Sequence, residues 1–173
     1  MRRLLLLRHA KTEAGGPGRD DRARILVERG RADAARIGAY MASHALVPDR
    51  VITSPAARSQ ETWTLMAPLM RPATATLEQI YDATPEDIAA AIVETPAEVE
   101  RLLIVGHNPG LHEVAVALIA SGNIDASESL RENLPTSGLI VIDFAYDDWS
   151  KLHPQSGRLE RFVTPKTLDP ASR

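Results

Sequence analysis

Arginine and histidine side chains follow three short apolar segments of the chain. Arg8 and His9 come directly after four consecutive leucines, Arg58 lies a few residues after a second apolar segment, and His107 lies just after a third. Guanidinium groups are planar, permanently charged donors that fit phosphate oxygens. A histidine held in line with phosphorus can act as a nucleophile and carry the phosphoryl group covalently. If the ends of the three segments meet, these four side chains predict a site for phosphoryl transfer.

A second histidine and a carboxylic acid would have separate tasks at such a site. His107, if protonated, would add positive charge and a hydrogen-bond donor for the phosphoryl oxygens. The leaving group needs a proton from a carboxylic acid, unless it can depart without one. Residue types and spacing alone leave the identity of that acid open.

The three apolar segments are typical of strands that are buried on both faces of a sheet. They are Leu4–Leu7, Arg50–Thr53 and Leu102–Val105. Each is followed by a polar turn and by apolar residues at helical spacing, which predicts an α/β fold with a mostly parallel sheet covered by helices on both sides. Because the carboxyl ends of parallel strands meet at one edge, where such folds bind ligands, we expect the three turns to converge.

Two of the polar turns contain residues that favour the beginning of a helix. Ser54 is expected to cap a helix whose first residue is Pro55. Arg58 then lies in the first turn, where unpaired backbone N–H groups and the helix dipole favour an anion. Asn108 and Pro109 are expected to begin the helix after the third strand in the same way.

The rest of the chain gives weaker patterns. They predict a helix over about 28–45, an edge strand at Thr76–Tyr81, and a helix that begins at the capping box Thr84–Asp87. A second capping box, Thr95–Glu98, predicts one more turn, and 121–135 is expected to be a loop with at most a turn of helix. A fourth buried strand is predicted at Leu139–Ile142 and an outer hairpin strand at Arg158–Val163. Residues 1–173 are expected to form a single domain, with about 166–173 as a tail.

The composition excludes several classes of function. With a formal net charge of -3 and 4% aromatic residues, the chain has no general attraction to nucleic acid or anionic membranes and few side chains for base stacking. The absence of cysteine excludes thiolate nucleophiles and cysteine zinc sites. No signal-peptide pattern and no apolar run of membrane-spanning length occurs, so we expect a cytoplasmic protein.

A metal centre is not expected from these residues. A zinc site could in principle be formed by His9, His107 and a carboxylate. The neighbouring Arg8 and Arg58 would oppose a cation there, because their charges have the same sign as the metal.

Three segments together resemble the histidine phosphatase superfamily, which is also called phosphoglycerate-mutase-like. Leu7–Lys11 resembles its Arg-His-Gly/Ala signature, Ser54–Thr62 its S-P-x-x-R-x-x-x-T segment, and Val105–Gly110 its second histidine motif in the G-H-N-P form. The Ala10-Lys11 variant, the Glu28-Arg29-Gly30 helix start and the short chain resemble the SixA branch of phosphohistidine phosphatases. Three motifs in the same order are a specific signal, whereas any one of them alone is weak.

The resemblance implies a three-layer α/β/α fold and a reaction without cofactor or metal. It implies that His9 is the nucleophile that becomes phosphorylated, and that the phosphate pocket is completed by Arg8, Arg58 and His107. It further implies a lesser part in binding the substrate for three residues: Thr12, Arg24 and Asn108.

The chain departs from the superfamily at the acid that protonates the leaving group. Many relatives carry a glutamate after the second helix, whereas here Tyr81-Asp82-Ala83 stands at roughly that place. Asp82 is the candidate that we include among the catalytic residues, Glu78 is a neighbouring alternative, and the reaction could also proceed without an acid. A phosphohistidine substrate needs a strong acid less, because protonated imidazole is a fair leaving group.

The function expected from the resemblance is therefore removal of a phosphoryl group from protein phosphohistidine. The partner would be a phosphorylated protein, for example a histidine phosphotransfer domain. Two alternatives stay open: a phosphomonoesterase of the same superfamily that acts on a small phosphorylated molecule, and a phosphate-binding protein without catalysis. A mutase is disfavoured, because the chain lacks long insertions that would enclose a small diphosphate.

Overall fold

The computed structural model describes residues 1–170 and shows a seven-stranded sheet between two layers of helices. The strands are β1 (Arg2–Arg8), β2 (Arg50–Thr53), β3 (Ala73–Thr76), β4 (Arg101–Gly106), β5 (Ile119–Gly122), β6 (Leu139–Phe144) and β7 (Gly157–Val163). The α-helices are α1 (Glu28–Ser43), α2 (Ala57–Met66), α3 (Pro85–Val93), α4 (Gly110–Leu118) and α5 (Ile124–Glu132). Residues 171–173, the end of the expected tail, lie outside the described residues.

The pairing of the strands confirms the predicted convergence of the three turns. The strand order is β3-β2-β4-β1-β6-β7-β5, with β4 parallel to both β1 and β2. β3 is parallel to β2 and β5 to β7, whereas β6 is antiparallel to β1 and β7. The sheet is therefore mostly parallel, and the carboxyl ends of β1, β2 and β4 meet at one edge.

The leucines of β1 supply the centre of both cores, because successive side chains of a strand point to opposite faces. Leu5 and Leu7 pack on the side covered by α1 and α2, together with Ile37 and Met66. Leu4 and Leu6 pack on the other side, against α3, α4 and α5. All four leucines are fully buried, which confirms the predicted three-layer α/β/α arrangement.

The predicted edge strand Thr76–Tyr81 is wrong in its position. The edge strand β3 spans Ala73–Thr76, and Glu78–Ile80 forms a turn of 3₁₀ helix instead. The side chains of β3 are mostly exposed, so its position is set by backbone hydrogen bonds to β2 and not by an apolar pattern. Ile80, which suggested the strand, is buried in the core from the 3₁₀ turn.

The predicted loop over 121–135 is also wrong for most of its length. It contains the end of β5 and the whole of α5, a helix with a single buried residue, Leu130. One buried residue leaves no apolar periodicity to detect, and the cap at Asn123, which accepts from Ala126 N, is a weak signal alone. Because β5 pairs with β7, Arg158–Val163 lies inside the sheet and is not its outer strand.

The two predicted capping boxes have different outcomes. The capping box at Thr84 and Asp87 is confirmed, with both reciprocal hydrogen bonds present at the beginning of α3. The capping box at Thr95 is wrong, because the Thr95 hydroxyl donates to Ala91 O at the end of α3, although the predicted turn does follow, with Val99 N donating to Pro96 O. None of the helices within residues 1–170 is long and apolar enough to cross a membrane.

Candidate active site

The four predicted phosphate-site residues lie together at the carboxyl edge of the sheet. Arg8 ends β1 and His9 follows it, His107 follows β4, and Arg58 lies in the first turn of α2. The ring centroids of His9 and His107 are 5.2 Å apart. Both rings and the Arg58 side chain are buried, in a chain whose net charge is negative. The parallel pairing of β2, β4 and β1 thus builds a local cluster of cationic and imidazole groups.

The tautomer of His9 is set by a backbone carbonyl. His9 Nδ1 lies 2.8 Å from Ala10 O, and because a carbonyl only accepts, Nδ1 must carry the proton. Burial lowers the pKa of His9 to about 4, with Arg58 and Arg8 contributing in the same direction against the Ala10 carbonyl, which raises it. At neutral pH the ring is therefore uncharged, and its Nε2 has a lone pair available for attack on phosphorus.

His107 is held from the turn between β2 and α2. Its Nε2 lies 2.6 Å from Ser54 Oγ, while its Nδ1 is buried without a hydrogen-bond partner among the described residues. Burial, followed by the charge of Arg58, lowers the pKa of His107 to about 3. The ring is thus neutral at pH 7, whereas a phosphate dianion beside it would favour the protonated form.

Ser54 contacts His107 instead of capping a helix that begins at Pro55. α2 begins at Ala57, two residues later than predicted, and Ser54 Oγ accepts a hydrogen bond from Ala56 N. Farther along α2, Thr62 Oγ1 donates to Arg58 O and accepts from Ala10 N at 3.0 Å. Thr62 of α2 therefore holds the loop that contains His9, while Ser54 in the turn before α2 contacts His107.

Arg8 and Asn108 share one anchor that the sequence does not reveal. Arg8 Nη1 and Asn108 Nδ2 each donate to Leu134 O at 2.9 Å. Arg8 Nε and Asn108 Oδ1 are buried and have no hydrogen-bond partner among the described residues. Burial lowers the pKa of Arg8 from its ordinary value. The loop after α5 thereby orients two of the predicted substrate contacts from outside the three motif segments.

An unexpected carboxylate, that of Asp21, lies at the centre of the site. Arg58 donates from Nη1 to Asp21 O at 2.7 Å and from Nη2 to Asp21 Oδ2 at 3.1 Å. The Tyr81 hydroxyl donates to the same Oδ2. The hydrogen bond from Tyr81, aided by Arg58 and Arg24, holds the pKa of Asp21 at about 2. Asp21 is itself an exposed residue and belongs to none of the three motifs.

Arg24 and Thr12 form the wall next to Asp21. Arg24 donates from Nε to Asp21 Oδ1 at 3.0 Å and from Nη1 to Thr12 Oγ1 at 2.9 Å. Thr12 also pairs with Leu26 through an isolated antiparallel bridge, which ties the segment after His9 to the segment before α1. Both residues therefore stand beside the cluster, as the resemblance implied, with Arg24 reaching it through Asp21.

The two expected acid candidates differ in their positions. Asp82 is exposed and lies on the wall of a cleft of about 260 Å³, and its backbone has a positive φ of 51°. The other residues that line this cleft are Asp21, Arg58, Tyr81, His107 and Asn108. Glu78 instead pairs with the exposed Arg22, at 2.8 Å.

Tyr81, like Asp21, was missed as a site residue. Its ring is edge-on to His107 at 5.6 Å between centroids, and Arg22 stacks on its face at 4.2 Å. The sequence contains one usable signal: the acidic pair Asp20-Asp21 follows a glycine-rich segment and stands beside Arg22 and Arg24, and Asp21 pairs with Arg24. Nothing in the local pattern indicated that this segment reaches Arg58.

A second and larger cavity lies outside this cleft. It measures about 470 Å³ and runs between the beginning of α1, the end of α5 and the end of β7. It is lined by Lys11, Arg29, Asp33, Ser129, Glu132, Asn133, Pro135, Thr136, Phe162, Thr164, Pro165 and Lys166. No group of three or more histidine or acidic side chains within residues 1–170 is arranged to hold a metal ion.

Comparison with known proteins identifies the class that this fold and site define. The family model of the histidine phosphatase superfamily (branch 1) matches residues 4–81. An uncharacterized protein from Mycobacterium leprae is 34% identical over 167 residues, which cover 92% of this chain and 100% of that protein. The chain belongs to the histidine phosphatase superfamily, as its three motifs predicted.

Solved structures narrow the comparison to one branch. A candidate phosphohistidine phosphatase SixA from Agrobacterium tumefaciens is 31% identical, with a TM-score of 0.80 over 95% of this chain and 98% of that one. The protein histidine phosphatase SixA complexed with tungstate has the same fold, with a TM-score of 0.75 at 17% identity over 96% of this chain and 99% of that one. These similarities place the chain in the SixA-type branch and confirm the phosphoglycerate-mutase-like α/β fold.

Proposed function

We propose that this phosphatase removes phosphoryl groups from phosphohistidine in proteins, through a phosphohistidine formed on its own His9. The observation that carries the proposal is the state of the His9 ring, which is buried and neutral with its Nδ1 proton held by Ala10 O. The remaining nitrogen, Nε2, belongs to the same site as Arg58, Arg8 and His107. The whole chain would serve as a single phosphatase domain in the cytoplasm.

In the first step, His9 Nε2 forms a bond to phosphorus while the P–N bond to the substrate imidazole breaks. Arg8 and Arg58 are proposed to hold the phosphoryl oxygens, whose charge is spread in the transition state. His107 would take up a proton when the dianion binds and would then donate to one oxygen. The departing imidazole nitrogen receives a proton as the bond breaks.

In the second step, water attacks the phosphorus of phosphorylated His9 and the P–N bond to His9 breaks. A base accepts one proton from the water, inorganic phosphate is released, and His9 returns to its neutral form. Asn108, with its buried and unpaired Oδ1, is proposed to contact the bound group, with Thr12 and Arg24 shaping the adjacent wall. Metal ions have no part in this scheme, because the two arginines supply the positive charge.

Two observations favour an N–P substrate over an O–P substrate. The glutamate that protonates leaving oxygens in many relatives has no counterpart at its expected position, where Tyr81 and Asp82 stand. Of the SixA proteins that this chain resembles, the one from Agrobacterium tumefaciens is described as a candidate phosphohistidine phosphatase and the tungstate complex as a protein histidine phosphatase. Imidazole leaves more readily than an alkoxide, so a site without that glutamate suits phosphohistidine better.

A small-molecule phosphomonoesterase is the second candidate. The observation in its favour is the size of the cleft, since about 260 Å³ accommodates a small phosphorylated molecule. The two candidate functions differ in the surface that the substrate contacts. A phosphoprotein would also contact residues outside the cleft, whereas a small molecule would contact the cleft alone.

A direct comparison of substrates tests the proposal. The purified protein is incubated with a phosphohistidine peptide and, separately, with a panel of sugar phosphates, and released phosphate is measured. We expect rapid hydrolysis of the peptide and slow hydrolysis of the sugar phosphates. High activity on a sugar phosphate with none on the peptide would establish the second candidate instead.

A further inference from the structure

We propose that Asp21, and not Asp82 or Glu78, carries the proton for the leaving group. This inference rests on the proposed function and identifies one further catalytic residue for that reaction. Asp21 lies in a turn of 3₁₀ helix before α1, outside the three sequence motifs that resemble the superfamily.

The carboxylate of Asp21 pairs with the guanidinium of Arg58, which is also proposed to bind the phosphoryl group. Its Oδ2 accepts from Arg58 Nη2 at 3.1 Å and from the Tyr81 hydroxyl, and its Oδ1 accepts from Arg24. About half of the side chain is exposed, and Asp21 lines the same cleft as His107. A leaving group that points out of the cleft can therefore reach this carboxylate.

The alternative acids lack this combination of contacts. Both carboxylate oxygens of Glu78 accept from Arg22 Nη1 on the exposed outer side, where the carboxylate is 71% accessible and away from Arg58. Asp82 lines the cleft but has no hydrogen bond to another described residue. Asp21 is thus the cleft carboxylate that is joined directly to the proposed phosphate-binding machinery.

Binding of a phosphoryl dianion changes the surroundings of Asp21. The dianion and the carboxylate compete for Arg58, and both the weakened contact with Arg58 and the added negative charge raise the pKa of Asp21 from its low value. Asp21 therefore takes up a proton as substrate binds, with Tyr81 keeping it in place. It delivers that proton to the imidazole nitrogen when the P–N bond breaks, and it accepts a proton from water when the His9–phosphorus bond is hydrolysed, so the cycle balances.

A matched pair of variants tests this role: Asp21→Asn against Asp82→Asn. Both changes remove one carboxylate from the same cleft and preserve side-chain size. Rates are measured for p-nitrophenyl phosphate, whose leaving group departs without a proton, and for phenyl phosphate and a phosphohistidine peptide, whose leaving groups are less able to do so. We expect Asp21→Asn to lower kcat by about 100-fold or more on the last two substrates. We expect a much smaller loss on p-nitrophenyl phosphate, and no such selectivity for Asp82→Asn.

Binding of inorganic phosphate to the same variants separates catalysis from folding. Because Asp21 competes for Arg58, Asp21→Asn should bind phosphate more tightly than the wild type, which also shows that the variant is folded. An equal loss on all three substrates, or a selective loss in Asp82→Asn instead, would overturn the role of Asp21. A wild-type protein that hydrolyses none of the substrates would contradict the proposed function itself.

A separate observation, the cavity of about 470 Å³, points to a docking surface for the substrate. We infer that this surface, the basic groove, receives an acidic segment of the phosphorylated protein. Its exposed cations are Lys11, Arg29 and Lys166, and Lys11 follows His9 by two positions. Of its two carboxylates, Asp33 is buried and pairs with Arg36 as well as with the groove's own Arg29, and Glu132 is the other, so the three cations exceed the carboxylates by one charge.

The groove is continuous with the catalytic cluster through the loop after α5. Pro135 and Thr136 line the groove, Leu134 O anchors Arg8, and Ser137 N donates to His9 O. A protein that presents phosphohistidine to His9 must cover surface next to it, and an acidic segment there would meet charges of opposite sign.

Two synthetic phosphohistidine peptides test the basic groove, one with aspartates beside the phosphohistidine and one with serines at the same positions. We expect a several-fold higher kcat/KM for the acidic peptide, and an advantage that decreases with added salt. Arg29→Glu combined with Lys166→Glu should remove the advantage without changing p-nitrophenyl phosphate hydrolysis. Lys151→Glu, a charge reversal in the turn between β6 and β7, is the control. Equal rates on both peptides would refute the docking surface and leave the proposed function untouched.

Discussion

At His9, one hydrogen bond determines which ring nitrogen can react. The contact with Ala10 O commits Nδ1 to donation and leaves the lone pair on Nε2, the atom that we propose as the nucleophile, while burial keeps the ring neutral at physiological pH. His107 is neutral for the same reason but contacts a hydroxyl, so it can gain a proton when an anion binds. His9 and His107 are therefore suited to different roles, because their hydrogen-bond partners differ.

The depressed pKa values make stability depend on pH in a defined direction. Between the ordinary pKa of about 6.5 and the folded values of about 4 for His9 and about 3 for His107, only the unfolded chain binds the protons. The free energy of unfolding should therefore fall as the pH decreases through this range, by at most about 1.4 kcal/mol per pH unit for each histidine. Urea unfolding at pH 7 and pH 4.5 measures this change.

The control for this measurement is a variant without one of the two rings. His107→Gln should lose less stability than the wild type between the two pH values, whereas His153→Gln, at an exposed position, should behave like the wild type. The same pH dependence in all three proteins would show that the buried rings do not cause it.

The positions of individual site residues were predicted correctly where the residue belongs to a motif and lies at or just after the end of a strand. Arg8, His9 and His107 are of this kind, and the structure brings them together as expected. Asp21 and Tyr81 could not be predicted, because they meet through the path of a glycine-containing loop and a 3₁₀ turn. Such a path depends on tertiary contacts and leaves no periodicity in the sequence.

At the scale of elements, α1 and the segment after His9 approach each other unusually closely. A Cβ built on Gly30 of α1 would lie within 3.0 Å of backbone atoms of Lys11. Val27 N also donates to Lys11 O, so this contact positions the segment that follows the nucleophile. The glycine in the Glu28-Arg29-Gly30 helix start is therefore explained by packing.

We expect Gly30→Ala to destabilise the protein by about 1–3 kcal/mol, since backbone must move to admit the methyl group. The displaced segment directly follows His9, so the position of His9 should change and kcat should fall as well. Thermal unfolding and hydrolysis rates measure the two effects. Gly16→Ala is the control, because a Cβ there meets no heavy atom within 4 Å. Equal behaviour of the two variants would contradict the positioning role of this contact.

The elements that were predicted correctly are those with apolar residues facing a core. β1, β2 and β4 and helices α1 to α4 fall into this group, apart from small shifts at their ends. α5 and β3 were missed or misplaced, because few of their side chains are buried and backbone hydrogen bonds or a cap define them. Ser54 shows a further limit, since its preference for capping was overridden by its contact with His107.

At the scale of the whole molecule, positive charge is concentrated at one edge of a sheet in a protein with net charge -3. We propose that the arginines, with a helix N-terminus behind Arg58, provide the positive charge that a metal ion provides in other phosphatases. We therefore expect hydrolysis of the phosphohistidine peptide to continue unchanged after dialysis against EDTA. Loss of activity that is restored by adding a divalent cation would contradict this expectation.

The most direct test of the central claim is capture of the phosphorylated enzyme. The protein is mixed with a ³²P-labelled phosphohistidine peptide, quenched in alkali to preserve phosphohistidine, and separated from the peptide by denaturing electrophoresis. We predict transient labelling of the wild type, acid-labile and mapped to His9, and neither labelling nor turnover in His9→Ala. Undiminished turnover by His9→Ala, or a stable label on another residue, would contradict the assignment of His9 as the nucleophile.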